Sequence, residues 1–236
     1  MGPRPPGRLS DPRGSALARS IILYGPAQAP FTEKCRRALI LKGLEFELRE
    51  PSGPEDYARW SPQTGLLPVM RIDGELVSDS TNILLKLDEL YPKPPLLSAD
   101  PTVAGQQRGL ENWADESFLW YFQQWLRMSQ DGRGNTPPSV RSSLVRRLRA
   151  WMSAGGTWER PETAILRGID DRLGDLANLL GARRFFYADH VSMADLAVYG
   201  MLHTVRSDAI PGSTRLLDMR PTLRELMRSV EAETGG

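Results

Sequence analysis

The stretch "GLLPVMRIDGELVSDSTNILLKLDELYP", Gly65 to Pro92, leaves a chain few ways to fold. Two short apolar runs, "PVMRI" and "ELVS", are separated by Asp73-Gly74 alone, the pattern of a two-residue hairpin turn. An acidic and hydroxylic segment, "DST", follows and reads as a helix start. Ile83, Leu84, Leu87 and Leu90 recur at helical spacing behind it until Pro92 stops the run. Such a hairpin supplies the antiparallel part of a small mixed sheet, with the helix laid against it.

The residues upstream complete that unit. "SIILYG" reads as a short buried strand, Ser20 to Tyr24. Pro26 and Pro30 precede "PFTEKCRRALILKG", and proline suits the first turn of a helix, where its missing N–H is not needed. Phe31, Cys35, Ala38, Leu39 and Leu41 give this helix an apolar stripe, and Gly43 is its expected stop. "EFELRE" alternates and predicts a second strand, Leu44 to Arg49. "PSGPEDYARWSPQTGLL" is turn-rich with room for one short helix. The order is β-α-β-α-β-β-α within about 75 residues.

A proline-rich connection, "YPKPPLLSADPT", then changes the character of the chain. From Val103 onward only helical patterns recur. "VAGQQRGLENWADESFLWYFQQWLRM" predicts one long helix, and "SQDGRGNTPPS" a mobile loop. "SLVRRLRAWM", "PETAILRGIDDRLGDLANLLG", "SMADLAVYGMLHTV" and "PTLRELMRSV" predict further helices. Residues 1–19, rich in proline, arginine and glycine, read as a disordered tail.

Composition narrows the function classes. The 236 residues allow one large domain or two small ones, and the formal net charge of +1 gives no bulk attraction to nucleic acid. The four lysines, Lys34, Lys42, Lys86 and Lys93, are too scattered for a polybasic patch. One cysteine, Cys35, excludes an intramolecular disulfide and fits a reducing cytoplasm. With only His190 and His203 beside it, no structural zinc site and no metal are expected. No window approaches 18 uninterrupted apolar residues, so no membrane span is expected. The N-terminus carries neither a secretory apolar core nor, with proline at position 6, the myristoylation pattern.

Three stretches carry a family resemblance: "LYGPAQAPFTEKCRRALILKGLEFEL", "GLLPVMRIDGELVSDSTNILLKLDELYP" and "FYADHVSMADLAVYGML". With the order of elements, they make the chain resemble the cytosolic glutathione transferases. That implies a thioredoxin-like α/β domain at about 20–96 and an all-helical domain at about 97–236. It also implies glutathione as co-substrate and a homodimer with its site near the interface.

A glutathione site has three tasks. It must hold the γ-glutamyl end, pin the cysteinyl backbone and stabilise the thiolate. "SDST" offers hydroxyls and a helix N-terminus, a ready anion site, although aspartate and serine also serve there as ordinary caps. The resemblance implies that Ser80 binds the γ-glutamyl carboxylate and that Asp79 takes the family's acidic position. It further implies that Pro68 is cis and turns the backbone of Leu67 toward the cysteinyl residue. Proline is where a cis bond is cheap, and a strand-edge proline is the plainer alternative. Leu66 stands where many relatives carry a polar or basic residue facing the glycyl carboxylate.

The third task is the least conventional. A free thiol has a pKa near ~8.5, and lowering it by about two units takes about 2.7 kcal/mol of preferential thiolate stabilisation. The serine or cysteine that relatives use aligns with Ala29, which can neither donate a hydrogen bond nor form a mixed disulfide. Three substitutes stand open: the hydroxyl of Thr32, the phenol of Tyr24, or backbone N–H groups at the helix start. Cys35, six residues on, reads as a buried small apolar residue. A second substrate would sit between the domains. Trp113, Phe118, Trp120 and Tyr121 lie on the helix expected to face it, and they point to a small apolar or aromatic electrophile unless they serve as core or dimer interface. "SMAD", Ser192 to Asp195, is a capping box assigned with His190 to stability. The first expectation is therefore a cytoplasmic glutathione transferase-type enzyme. The alternative, favoured by Ala29 and Leu66, is a non-catalytic glutathione- or ligand-binding or protein-interaction module on the same fold.

Overall fold

Asp73 and Gly74 take φ values of 50° and 88°, the two left-handed residues that a tight hairpin turn requires. They join β3 (Val69–Ile72) to β4 (Glu75–Ser78), with Ile72 facing Glu75 across the turn. The fold is that of a computed structural model describing residues 20–131 and 161–235. The expected N-terminal tail, the "SLVRRLRAWM" helix and all but the first residues of the expected loop lie outside them.

β1 (Ile21–Tyr24) runs parallel to β2 (Glu47–Arg49) and antiparallel to β3, giving the sheet order β2-β1-β3-β4. The second strand is shorter than the alternation suggests. Leu44 is drawn out of it because its N–H closes on Leu39 O at 3.0 Å, finishing the preceding helix. α1 (Pro30–Leu41) and α3 (Ser80–Leu90) cover the sheet face bearing Ile21, Leu23, Met70 and Ile72. On the opposite face Tyr24 packs against Trp60, the last residue of α2 (Pro54–Trp60), with ring centroids 4.8 Å apart.

The connection after α3 is held by Lys42. Its Nζ bonds Asp88 Oδ1 at 2.9 Å and the carbonyls of Tyr91 and Pro94 at 2.6 and 2.9 Å. The chain then enters α4 (Pro101–Asp131), α5 (Pro161–Leu180), α6 (Met193–Arg206), α7 (Ser213–Asp218) and α8 (Pro221–Glu233). α7 carries too short an apolar pattern to be read from sequence. The N-terminal α/β unit with its four-stranded sheet, followed by helices alone among the described residues, is the thioredoxin-like plus all-helical architecture.

α6 is the hub, buried from Met193 to Leu202 and packed on both α1 and α4. A Cβ on Gly200 would stand 2.4 Å from Pro30 O, so only glycine lets α6 lie against the first turn of α1. Its start is fixed by Asp195. Oδ2 accepts from Ser192 N and Ser192 Oγ at 2.8 and 2.6 Å, and Oδ1 accepts from Phe186 N at 2.8 Å. Burial raises this carboxyl to about 6, with those hydrogen bonds pulling the other way. His190 is exposed nearby.

Candidate functional site

A cleft of about 450 Å³ opens between the α/β unit and α4. Its walls include Phe31 at the start of α1, Leu66, Leu67 and Pro68 before β3, Ser78 to Ser80 at the start of α3, and Asp115, Glu116, Leu119 and Gln123 from α4. The sequence therefore brings Leu67, Pro68, Asp79 and Ser80 together in space.

Each wall has a local cause. The Leu67–Pro68 peptide is cis, and neither the N–H nor the C=O of Leu67 has a hydrogen-bond partner among the described residues. A half-buried peptide with both polar groups free is prepared for an extended ligand. Asp79 caps α3, its Oδ1 accepting from Thr81 N at 2.9 Å and Asn82 N at 3.1 Å. That capping leaves the buried Ser80 hydroxyl at the cleft. Leu66 is 70% exposed at the rim.

Behind Ser80 lies a charge cluster. Lys34, 0% exposed, donates from Nζ to Ser80 Oγ at 3.3 Å, to Asp115 Oδ2 at 2.8 Å and to Glu111 Oε1. Thr81 Oγ1 also donates to Glu111 Oε1. Burial pushes the Asp115 carboxyl up to about 6; Lys34 opposes that shift, and Glu111 and Asp79 add to it. Burial acts to lower the Lys34 pKa, but Asp115 and Glu111 outweigh it and hold the ammonium charged.

The expected thiolate donors are placed elsewhere. Tyr24 is buried against Trp60 on the α2 face, between the guanidinium groups of Arg49 and Arg71. Thr32 is fully buried with Oγ1 turned to Gly25 and unpartnered, and neither residue lines the cleft. Ala29 is the N-cap of α1 and makes no side-chain cap. Pro30 has no N–H, and Glu33 N bonds Ala29 O at 2.9 Å, so the N–H groups of Phe31 and Thr32 are left without acceptors among the described residues. Cys35 is buried in the core, and burial raises its thiol.

The aromatic residues of α4 also face away. Phe118 is core, Trp113 lies edge-on to it under Arg172, Tyr121 packs over Gly168, and Trp120 is exposed. The cleft wall is instead Asp115, Glu116, Leu119 and Gln123, three of them polar. Sequence reasoning missed these residues and Lys34. The signals were present: a lysine on the apolar stripe of α1, and two acids four apart, Glu111 and Asp115, interrupting the stripe of Leu110, Ala114 and Phe118. A charge on a buried face requires a partner.

Residues 23–95 match the family model of the glutathione S-transferase N-terminal domain, and residues 158–235 match that of the C-terminal domain. The chain belongs to the glutathione S-transferase superfamily. It is 25% identical to maleylacetoacetate isomerase of Pseudomonas aeruginosa over 90% of this chain and 98% of that one. Among solved structures, a glutathione S-transferase of Methylobacterium radiotolerans in complex with glutathione sulfonate superposes with a TM-score of 0.66 at 26% identity, covering 90% of this chain and 91% of that one. Rice GST1 in complex with glutathione has the same fold at a TM-score of 0.66 and 21% identity, covering 92% and 88%.

Proposed function

We propose that this protein binds glutathione in the cleft between the α/β unit and α4 and uses its sulfur in a transfer or isomerisation reaction. The observation that carries the reading is the unpaired main chain of Leu67, beside cis-Pro68, sharing one cleft with the Ser80 hydroxyl. Leu67 pairs with the cysteinyl backbone, and Ser80 donates to the γ-glutamyl carboxylate next to Asp79. The free N–H of Phe31, which lines the cleft, stabilises the thiolate from the main chain, so Ala29 costs the site only a side-chain donor. Phe31, Leu66 and Leu119 offer apolar surface for a small electrophilic substrate. The glutathione-bound relatives and the isomerase support the reaction class.

The proposal includes two domains, 20–96 and 97–236, a homodimer and a cytoplasmic setting. The exposed Leu76 on edge strand β4 is an apolar residue that a second copy would cover. A binding module without turnover is the second reading, favoured by the absence of any side-chain cap at Ala29. Calorimetric titration of glutathione into the wild type and Ser80→Ala tests the site. Binding at ~1 mM or tighter, about −4 kcal/mol, is expected, and the variant should lose it. A folded wild type giving no heat at several times that concentration would sink the transferase reading and leave a module whose ligand is another molecule. Binding without turnover over a panel of electrophiles would leave the module.

A further inference from the structure

A second concavity lies within the helical unit. A pocket of about 300 Å³ forms where the ends of α6 and α7 meet the first turns of α8, and it shares no residue with the cleft. Leu217 and Met227, both buried, close its bottom, and Arg206, Arg224, Arg228 and Asp218 form its rim. Arg224 and Arg228 stand four apart on α8, so they share one face of that helix. Arg206 is held in place: one Nη donates to Glu231 Oε1 at 2.8 Å, and the other lies 3.4 Å from both Tyr199 Oη and His203 Nδ1. The other two are held loosely. Arg224 stands 3.4 Å from Asp218 Oδ1, Arg228 pairs with Glu225 three residues earlier, and all four of these side chains are exposed. Exposed pairs of this kind contribute little, so both guanidinium groups can turn to a stronger acceptor. Each carries five N–H donors, and one carboxylate contact leaves most of that fork available.

The lining sets the chemistry of what fits. Three cations and one carboxylate face the space, and Glu225 and Glu231 pair with their arginines without lining it. An anion of more than one charge suits that imbalance. Guanidinium forks match the paired oxygens of a phosphate, and such charge-assisted bonds are stronger than those of the exposed ion pairs they replace. A bare ion is too small. The pocket is many times the ~30 Å³ share of one water molecule, and it has an apolar bottom and arginine stems to lie against. Its size falls at the lower end of the range for small-molecule sites. We propose that this pocket is a second binding site, for a small soluble phosphomonoester with an apolar or aromatic body: Arg206, Arg224 and Arg228 take the phosphate, and Leu217 and Met227 take the body. The site does not depend on what occupies the cleft.

The test is a titration of phenyl phosphate into the full chain with its methionine methyl groups labelled for NMR, at about pH 7.5, where the phosphate is mostly a dianion. The Met227 signal, identified by its loss in the volume-conserving Met227→Leu, reports the pocket bottom directly. It should shift and saturate with a Kd of about 1 mM or tighter. The double variant Arg224→Gln/Arg228→Gln changes only exposed side chains and should weaken binding by about tenfold or more. Inorganic phosphate, which lacks the body, should bind several-fold more weakly than phenyl phosphate. Excess S-methylglutathione should leave the curve where it is. An unmoved Met227 signal in the folded wild type, an affinity kept in the double variant, or displacement by S-methylglutathione overturns the assignment. Inorganic phosphate binding as tightly as phenyl phosphate would remove the role of Leu217 and Met227 and overturn the ligand class. Capture of the chain by vesicles carrying phosphatidate, without a response to phenyl phosphate, would make the arginines a membrane contact and overturn it as well.

Discussion

Two ionic networks leave neighbouring residues of α1 in different directions, and they are built differently. From Glu33 and Arg37 one runs toward α6 and α8. Arg37 donates to Glu33 Oε1 at 2.8 Å, Tyr199 Oη at 3.0 Å and Thr234 Oγ1 at 2.7 Å, and Tyr199 passes its own hydrogen to Glu231 at 2.8 Å. No side-chain atom of that set is left buried and unpaired. From Lys34 the other runs toward α3 and α4 and leaves two carboxylate oxygens unmatched. A completed buried network fixes the packing of helices, whereas an incomplete one is costly until something completes it. The pH signs differ as well. Burial alone would raise Glu33, but the hydrogen bonds from Arg36 and Arg37 win and lower it. Its contribution is therefore present above the ordinary carboxylate range and lost as pH falls through the lowered pKa. Asp115 is raised, so its charged form weakens the fold above pH 6, and that cost fades as pH falls and the carboxyl takes its proton.

The comparison can be broken at several points. Arg37→Met removes the donors to Glu33, Tyr199 and Thr234 while Glu33 keeps Arg36, and urea unfolding should show a loss of about 2–3 kcal/mol. Gly200→Ala forces α6 away from Pro30 on the same structural side, and its expected loss is about 1–3 kcal/mol. Asp115→Asn should do the opposite. At pH 7.5 it leaves Lys34 and Glu111 as a balanced pair, and stability should rise by on the order of 1 kcal/mol. The gain should shrink as pH falls through 6 and vanish by about pH 3, below both the folded and the unfolded pKa. A destabilised variant at pH 7.5 would mean that the two networks are alike after all. Smallest is the pair Thr32→Val and Tyr24→Phe. The Thr32 hydroxyl has no partner to lose and Tyr24 sits on the far face, so each should move stability by less than about 1 kcal/mol and leave turnover unchanged. Lost turnover in folded Thr32→Val would make its hydroxyl, and not the main chain, the thiolate donor.

The α/β unit was legible because its punctuation is local. Pro30, Gly43, Asp73-Gly74 and Pro92 each mark a boundary through their own backbone preferences. The boundaries that moved, at Leu44 and at α7, depend on one hydrogen bond and on packing that no short window contains. The cleft divides in the same way. Leu67, Pro68, Asp79 and Ser80 lie within 14 consecutive positions and could be read as one motif. Lys34 meets Glu111 and Asp115 across 77 and 81 residues, and scanning α4 for aromatic residues drew attention to the faces turned away from the cleft.

The alanine at 29 and the inaccessible Cys35 have a practical consequence. The chain has one sulfhydryl, and the core encloses it. An alkylating reagent or mild oxidant that silences a cysteine-dependent enzyme finds nothing to modify on the folded protein. Any thiol counted, trapped or consumed in a reaction mixture therefore belongs to the small molecule. Stoichiometry can be read by colour change without blocking or mutating the protein first.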